Sequence, residues 1–502
     1  MHRKYMKKIL SIALSSALLL TACDLDINDN PNYPSSTDVT TDLIFPSAEN
    51  FIADVIGDDM FTNAGFFAQY FEQMPTANQY NDLAELNINE GKNLFNRDYR
   101  LIYAGALTDL KDIMDRSTST TDIFACTVLR AYALQVIVDC QGEAPYTEAL
   151  QGASNLNPKW DDGKTIYEGV LAELDEAEDN IDFADVMTLT DPMLQKDIYK
   201  WLGFADALRL RMLLRLIDGN VNVETNINKV KKLVADDFFF SGDVTWNVYS
   251  DAENQYNPWF DCKNTLGASN HCAAFPIVAY MTYTEDPRIS YAMDPCKYDN
   301  SYTGQIPGSK TKTPGWLGLT TSEYQDDRVS NIKYDLFRAA PVYFYTQSEL
   351  QFLIAEVELR FNHNDAAAKA AYEAAVRADF ESRDVDDVDE FLSGWGEWKG
   401  SDANKLNLIY MQKWVALFMR DHLEAWTEAR RTDIPAVSPI SAEKIASDPN
   451  LYNPGDFIVP AVNQYGKGGL CKRVPYSSDA RSTNKNTPAG KGINEPVFWD
   501  IK

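Results

Sequence analysis

A segment of the chain reads Trp201-Leu-Gly-Phe-Ala-Asp-Ala-Leu-Arg-Leu-Arg-Met-Leu-Leu-Arg215, and after the turn Asp218-Gly219-Asn220 a second segment runs from Val223 to Ala235. Both segments carry apolar residues at three- and four-residue spacing, which is typical of amphipathic helices. The small residues Ala205 and Ala207 allow another helix to approach closely. This stretch therefore predicts two packed helices joined by a short turn.

A second pair of segments has the same layout. It begins with Ser348-Glu-Leu-Gln-Phe-Leu-Ile-Ala-Glu-Val-Glu-Leu-Arg360, turns at Asn362-His-Asn-Asp365 and continues from Ala366 to Glu381. Each pair spans about 35 residues, which is the period of tetratricopeptide-type helical hairpins. Strict repeat signatures are missing, so unrelated helical hairpins are the alternative. We expect a scaffold of stacked, tetratricopeptide-like hairpins.

Most of the chain before residue 220 has the same helical period. Strand-like alternation is scarce, so the predicted fold class is mainly all-α. The helical segments are Leu43 to Met60, Phe61 to Gln73, Leu94 to Met114, Asp122 to Cys140, Thr165 to Phe183 and Lys196 to Ile217.

The composition changes between about residues 238 and 345, where Gly, Asn, Asp, Pro, Ser and Thr become frequent. Loops of this length are usually functional or disordered, and the many aromatic residues argue against disorder. We therefore expect this loop-rich region to carry the binding surface. Its aromatic residues include Trp246, Tyr249, Tyr256, Trp259, Tyr283, Tyr298, Tyr302, Trp316 and Tyr324.

The first 22 residues have the layout of a bacterial lipoprotein signal peptide. Four basic residues are followed by an apolar stretch from Ile9 to Leu20, and Leu20-Thr21-Ala22 precedes Cys23. The apolar stretch is too short to span a bilayer. We expect cleavage before Cys23 and acylation of its thiol; an ordinary cleaved signal with a chance cysteine is the alternative. Two acyl chains would anchor the protein almost permanently, because each buried methylene contributes about 0.8 kcal/mol.

The mature chain is strongly acidic. Without the four basic residues of segment 1–22, 42 basic residues face 74 acidic ones, which gives a formal net charge of −32. Such a surface repels polyanions and argues against nucleic acid as a partner, whereas neutral sugars or peptides are not repelled. Residues 23–40 are polar and rich in Asn, Pro and Ser, which predicts a flexible lipid tether.

Six cysteines follow Cys23. Cys126 and Cys140 share a predicted helix, where 14 residues at 1.5 Å each separate them by about 21 Å, too far for a disulfide. The other four can either pair or remain buried free thiols. These four are Cys262, Cys272, Cys296 and Cys471.

Catalytic and metal-binding motifs are absent from the sequence. It has no CxxC pair, P-loop, GxSxG or HExxH motif, and its four histidines are scattered. The acidic run from Asp379 to Glu390 lacks the Gly and Glu spacing of an EF-hand, so a solvated acidic face is favoured over a calcium site. We expect no catalytic residue, no metal site and no cofactor, and a structural calcium ion cannot be read from the sequence.

The most distinctive segment of the sequence lies in the second half of the chain. It reads Lys405-Leu-Asn-Leu-Ile-Tyr-Met-Gln-Lys-Trp-Val-Ala-Leu-Phe418, then Glu424-Ala-Trp-Thr-Glu-Ala-Arg-Arg-Thr-Asp-Ile-Pro435. In this segment and in further segments along the mature chain, the sequence resembles the SusD/RagB family of outer-membrane lipoproteins. The further segments are Cys23-Asp-Leu-Asp-Ile-Asn-Asp-Asn-Pro-Asn32, Phe204-Ala-Asp-Ala-Leu-Arg-Leu-Arg211, the turn Asp286-Pro287-Arg288, Tyr345-Thr-Gln-Ser-Glu-Leu-Gln-Phe-Leu-Ile-Ala-Glu356, Arg473-Val-Pro-Tyr476 and Asn484.

The charged residues of segment 424–435 have a structural interpretation. Glu424, Glu428, Arg430 and Arg431 lie with Trp426 on a predicted helix. Arginine forks and tryptophan faces commonly lock helix ends into a core. We therefore expect this cluster to be scaffold rather than a ligand site.

The resemblance implies a mostly helical single domain over residues 41–502, with tetratricopeptide-like units on one side and a loop-rich ligand-binding face on the other. It also implies a partner, a TonB-dependent β-barrel transporter of the SusC type in the outer membrane, over which such proteins sit as a lid. Members of the family bind oligosaccharides, and some relatives handle peptides. Ligand contacts vary within the family, so the motifs assign none of them.

Candidate ligand residues follow from the chemistry of sugars. A sugar receptor needs an exposed aromatic platform beside amide, hydroxyl or guanidinium groups. Core packing is the alternative for both Trp259 and Trp316, but neither residue has helical apolar spacing around it. The candidates are Trp259 with Asn257, Trp316 with Tyr302 and, from an early loop that faces the ligand in the family, Gln73, Gln79, Tyr80 and Asn81.

Together these observations predict a cell-surface lipoprotein of the outer membrane. We expect it to capture a neutral oligosaccharide without chemistry and to pass it to the transporter. A peptide-binding relative is one alternative. A membrane-tethered glycoside hydrolase is another, because glycoside hydrolysis uses a pair of carboxyl groups and the sequence contains 74 acidic residues.

Overall fold

The structure is a computed structural model that describes residues 39–261, 270–466 and 469–501. The predicted signal peptide 1–22, the predicted acylation site Cys23 and all but the last two residues of the predicted tether lie outside the described residues, as does Cys262. The described chain is mainly helical, as the periodicity predicts.

The helices fall into two groups, one on either side of the loop-rich region. The first group is α1 (Thr41–Gly57), α2 (Asp59–Phe67), α3 (Asn81–Ala84), α4 (Asn96–Arg100), α5 (Leu107–Arg116), α6 (Thr120–Gln141), α7 (Gly163–Asp179), α8 (Ile198–Asp218) and α9 (Val223–Asp236). A π-helical segment, Leu101–Ala106, joins α4 to α5. The remaining helices are α10 (Phe275–Tyr283), α11 (Ile289–Ala292), α12 (Thr313–Trp316), α13 (Gln347–Arg360), α14 (Asp365–Ser382), α15 (Val388–Ser393), α16 (Asp402–Leu417), α17 (His422–Thr432), α18 (Ala442–Ser447) and α19 (Ser478–Thr483).

Both predicted helical hairpins are confirmed, as α8 with α9 and α13 with α14. In the first turn, Asn220 and Asn222 have φ angles of 58° and 45°, a left-handed conformation that Asn tolerates better than most residues. In the second, the side chain of Asn364 accepts a hydrogen bond from the backbone N–H of Ala367 and caps α14. Local turn chemistry therefore sets both hairpins.

One large hydrophobic core runs through the described chain, from Phe45 in α1 to Trp499 near the end. Helix α6 has the length and apolar composition of a membrane span, but 89% of its apolar window is buried inside the protein. It is therefore a core helix, buried by its neighbours on nearly every side.

The thiols of the described cysteines are buried and free. Cys126 and Cys140 share α6, as predicted, and burial raises the pKa of each thiol. A high thiol pKa leaves little of the reactive thiolate at neutral pH. The other free cysteines of the described chain are Cys272, Cys296 and Cys471.

A buried network of ion pairs ties the helices together. The guanidinium of Arg431 on α17 reaches Glu356 on α13 at 2.7 Å and Asp218 at the end of α8 at 2.5 Å. Arg215 on α8 pairs with Glu424 on α17 at 2.5 Å. The cluster on α17 is therefore scaffold, as predicted.

Three antiparallel strand pairs occur in the described chain and position the loop-rich region. The strands are β1 (Phe71–Gln73), β2 (Glu143–Pro145), β3 (Trp160–Asp162), β4 (Val244–Trp246), β5 (His271–Ala273) and β6 (Val342–Tyr345). Because β4 pairs with β6, the loop-rich region leaves and re-enters the body at adjacent points. Pairing of β1 with β5 then brings the loop after β1 to this region. The helical prediction for residues 71–73 is wrong, since long-range pairing holds them as a strand.

Candidate functional site

Irregular segments that the strand pairs bring together form one surface. We call it the loop face and define it by loop 76–81, segment 294–303, segment 310–316 and turn 326–328. Side-chain hydrogen bonds join loop 76–81 to segment 310–316, which includes the short helix α12, and to turn 326–328.

Gln73 fixes the start and end of loop 76–81. Its side-chain Nε2 donates to the carbonyl of Asn270 at 3.0 Å, and its Oε1 accepts the backbone N–H of Tyr80 at 2.5 Å. Because both ends of this buried amide are engaged, the loop is tied to the segment that leads into β5.

Lys310 holds the tip of the same loop. Its Nζ donates to the carbonyl of Ala77, to Oδ1 of Asn78 at 2.6 Å and to Oδ1 of Asn81 at 3.4 Å. Partial burial lowers the pKa of Lys310. The lysine therefore orients the two asparagine amides before any ligand arrives.

Tyr298 is the most accessible aromatic ring of the loop face. Its ring is backed by Arg328, whose guanidinium carbon lies 4.0 Å from the ring centroid, and the residue is 61% exposed. Turn 326–328 is fixed by Asp326, which accepts the N–H and hydroxyl of Thr76 at 2.9 and 2.6 Å. A ring held by a cation beside an amide-bearing loop suits the C–H face of a sugar.

A buried carboxyl group lies behind the loop face. Glu72 accepts the backbone N–H of Gln73 at 2.8 Å and that of Gly308 at 3.0 Å. Burial raises the pKa of Glu72 to about 8, although these two hydrogen bonds lower it. The neutral form therefore prevails at neutral pH. Because the pKa of Glu72 is higher in the folded than in the unfolded protein, folding favours the protonated side chain. The free energy of unfolding therefore falls as the pH rises from 4.5 towards 8.

Several sequence-predicted residues do lie on the loop face. Gln79 is exposed, and Asn81 is half-buried in the same loop. Tyr80, also half-buried, stacks on His271 with ring centroids 4.4 Å apart. Trp316 and Tyr302 are half-buried in neighbouring segments. These five remain our proposed ligand contacts.

The expectation of exposure is wrong for Trp259, Asn257 and Gln73. Trp259 is 2% exposed, because Phe71 and Tyr334 cover it with nearly parallel rings at centroid distances of 5.6 and 4.6 Å. The amide of Asn257 donates to the carbonyl of Ala340 at 2.9 Å and accepts the N–H of Trp259 at 3.0 Å. These three side chains belong to the framework.

Two features of the loop face were missed at the level of sequence. Tyr298 is one of the aromatic residues of the loop-rich region but is not among the candidates chosen from the sequence, although its polar neighbours Lys297, Asp299, Asn300 and Ser301 are a usable signal. Arg328 had no local signal, because its partner ring lies thirty residues away in the chain.

The loop face offers stacking and hydrogen bonding. Within residues 39–261, 270–466 and 469–501, no group of three or more His, Cys, Asp or Glu side chains is arranged to hold a metal ion. Asp379, from the acidic run considered for calcium, is buried and pairs with Arg288 at 2.9 Å and Arg383 at 2.8 Å. The geometry is therefore that of a binding surface for a polar, ring-bearing ligand.

Comparisons with known proteins agree with this description. A family model described as "Starch-binding associating with outer membrane" (SusD-like) matches residues 31–452. Similar solved structures include a SusD homologue from Bacteroides vulgatus, with 19% identity, a TM-score of 0.71 and coverage of 92% of this chain and 97% of that one. A SusD-like protein from Bacteroides thetaiotaomicron has 20% identity, a TM-score of 0.70 and coverage of 92% and 99%.

A chitin-binding SusD homologue from Flavobacterium johnsoniae is also similar, with 20% identity, a TM-score of 0.68 and coverage of 91% of this chain and 97% of that one. At such identities the structural likeness shows the fold. A comparison with curated proteins gave no match.

Proposed function

The chain belongs to the SusD-like family, a family described by starch binding and association with the outer membrane, and from this premise we propose that it captures a neutral oligosaccharide at the cell surface without changing it chemically. The observation that carries the proposal is Tyr298, an exposed ring held by Arg328 beside the ordered amides of loop 76–81. A sugar ring can stack on the tyrosine while its hydroxyls bond to the amides.

The charge of the protein supports a neutral ligand. With a net charge of −32 after removal of segment 1–22, the surface repels sulfated or uronic glycans over several ångströms. Neutral glucose or N-acetylglucosamine polymers escape this repulsion. The words starch and chitin, in the family description and in the name of one similar structure, denote polymers of this kind.

Replacing Tyr298 by alanine should weaken glycan binding about fivefold, because one exposed stacking contact contributes about 1 kcal/mol. The measurement is calorimetric titration of the soluble body, residues 24–502, with maltoheptaose and chitohexaose. Thermal unfolding should change little, since the ring is largely exposed. Tyr199→Ala is the matched control, because Tyr199 is 59% exposed and lies outside the loop face. Equal affinities of the Tyr298 variant and the wild type would contradict this site.

Delivery to a transporter is the second part of the proposal. We infer that acylated Cys23 and the tether hold the helical body beside a SusC-type TonB-dependent barrel, so that captured glycan is released into it. Support comes from the signal-like segment before Cys23 and from the outer-membrane association in the family description.

Cys23→Ala should release the protein from the outer membrane without altering its glycan affinity. Fractionation of cells, followed by detergent extraction and affinity purification, measures both retention and recovery of a large β-barrel partner. We expect the wild type to be membrane-bound and to carry the barrel. Unchanged membrane retention of Cys23→Ala would contradict lipid attachment at this residue.

A further inference from the structure

A second pair of exposed aromatic rings lies outside the loop face. Tyr283, at the end of α10, is 54% exposed, and Trp395, after α15, is 46% exposed. Their ring centroids are 4.7 Å apart and their planes meet at 52°. The two rings therefore form an open corner, which we call the aromatic corner.

Rigid backbone supports the tyrosine side of the aromatic corner. The hydroxyl and the N–H of Thr284 donate to the carbonyl of Tyr280 at 2.8 and 2.9 Å and close the end of α10. Just beyond, the buried Arg288 pairs with Asp286 at 2.5 Å and bonds to Oε1 of Gln412 on α16 at 2.6 Å. The end of α10 is thus bonded to the helical body.

The tryptophan side is equally fixed. The N–H of Gly396 donates to the carbonyl of Phe391 at 2.8 Å. The carbonyl of Gly396 accepts a hydrogen bond from the hydroxyl of Tyr372 at 2.9 Å. A Cβ atom at Gly396 would lie 2.7 Å from the ring of Phe391, so the turn packs tightly against α15. Two large rings are therefore held exposed by a framework that does not bury them.

Helix α10 links the aromatic corner to the apolar cluster that also supports Trp316 of the loop face. Phe275 and Ala279 on α10 pack, together with Trp316, against the same small apolar cluster. Tyr283 lies one helical turn beyond Ala279, which is about 6 Å along the axis of α10. A chain of sugar residues that starts near Trp316 and lies along this side of α10 would run towards the aromatic corner.

We propose that the aromatic corner is a second subsite for an uncharged pyranose ring of the same oligosaccharide; this inference rests on the proposed glycan-binding function. One ring of the corner would stack on a C–H face of the sugar, and the other would cover its edge. The exposed carboxylates of Glu285 and Glu397 flank the corner in sequence. Both can accept hydroxyl hydrogen bonds, and Glu285 repels anionic sugars, whereas Glu397 is paired with Lys399 at 2.7 Å.

Another exposed ring pair provides the matched control. Phe183 and Tyr199 are each 59% exposed and stack with centroids 5.9 Å apart. They lie near Asp185, whose Oδ2 accepts the backbone N–H of Thr120 at 2.8 Å. Neither ring belongs to α10 or to the apolar cluster beneath Trp316. Loss of this pair removes a similar apolar area from a different part of the surface.

The test compares long and short ligands on the soluble body, residues 24–502. We expect the double variant Tyr283→Ala/Trp395→Ala to bind maltoheptaose or chitohexaose about 25-fold more weakly than the wild type, because two stacking contacts are lost and each contributes about fivefold. The corresponding trisaccharides, held at Tyr298 alone, should bind unchanged. Tyr283→Phe/Trp395→Phe, which keeps both rings, should retain the affinity for the long ligands even if the alanine variant unfolds more easily. Phe183→Ala/Tyr199→Ala should bind as the wild type does.

Three results would overturn the inference, and together they separate it from the proposed function. Wild-type affinity of the alanine double variant for the long ligands, with Tyr298→Ala still impaired, would remove the second subsite and leave the first. Failure of the wild type to bind any of these glycans would remove both proposals. A loss of trisaccharide affinity equal to that for the long ligands would also contradict a separate subsite.

Discussion

Replacing Arg431 by methionine is expected to lower the free energy of unfolding by about 3 kcal/mol, because three buried carboxylates lose a shared cation and are left with Arg360 and Lys413 close by. Arg431 is 1% exposed and donates to Glu428, Glu356 and Asp218 at 2.5–2.8 Å. Burial by itself would raise the pKa of Glu356, but the attraction of Arg431 and its hydrogen bonds outweigh burial and lower it. Arg360 and Lys413 lower the pKa of Glu356 further, so Arg431 is the largest of three cationic supports for this carboxylate charge.

Urea denaturation measures the loss, and Arg377→Met supplies the control. Arg377 also pairs with a carboxylate, Asp389, at 2.6 Å, but the two side chains are 46% and 84% exposed. Solvent screens such a pair, so its removal should cost less than about 1 kcal/mol. If the two variants lost the same stability, the network would not be the element that joins α8, α13 and α17.

Replacing Trp259 by alanine should cost about 3–5 kcal/mol of folding stability, the usual range for deleting a buried aromatic side chain. The ring is 2% exposed, stacked between Phe71 and Tyr334, and makes an edge contact with Phe61 at a centroid distance of 5.5 Å. Its removal would open a cavity between β1 and the loop-rich region. Thermal and urea unfolding of the soluble body measure the effect.

Trp259→Phe separates packing from polarity. The indole Nε1 of Trp259 has no hydrogen-bond partner among the residues that the structure describes, so phenylalanine keeps a stacked ring without losing one of the described bonds. We expect a loss of less than about 1.5 kcal/mol for this variant. Normal stability of Trp259→Ala, combined with loss of glycan binding, would instead restore Trp259 as an exposed platform.

The helical scaffold could be predicted because its signals are local. The apolar spacing within Trp201–Arg215 and the turn after Asp218 specify a hairpin without reference to the rest of the chain. The same holds for the second hairpin, whose Asn364 cap lies where the turn was expected. Periodicity and capping therefore carry the fold class.

The loop-rich region could be predicted only in outline, because the burial of its aromatic rings depends on residues that are distant in the chain. Trp259 has the polar neighbours Asn257 and Asp261, which suggest exposure, but Phe71 and Tyr334 arrive from other parts of the chain to cover it. Tyr298 is oriented by Arg328 in the same way. Composition located the loop-rich region, while long-range packing decides which of its rings face solvent.

Titration of the wild-type soluble body with neutral oligosaccharides, combined with an assay for new reducing ends, tests the central claim most directly. We predict saturable binding of maltoheptaose or chitohexaose, weakened by Tyr298→Ala, with no reducing sugar released during prolonged incubation. Release of reducing ends by the purified protein would make it a glycoside hydrolase. Binding of oligopeptides in place of either glycan would make it a peptide receptor, and both results would contradict glycan capture without chemistry.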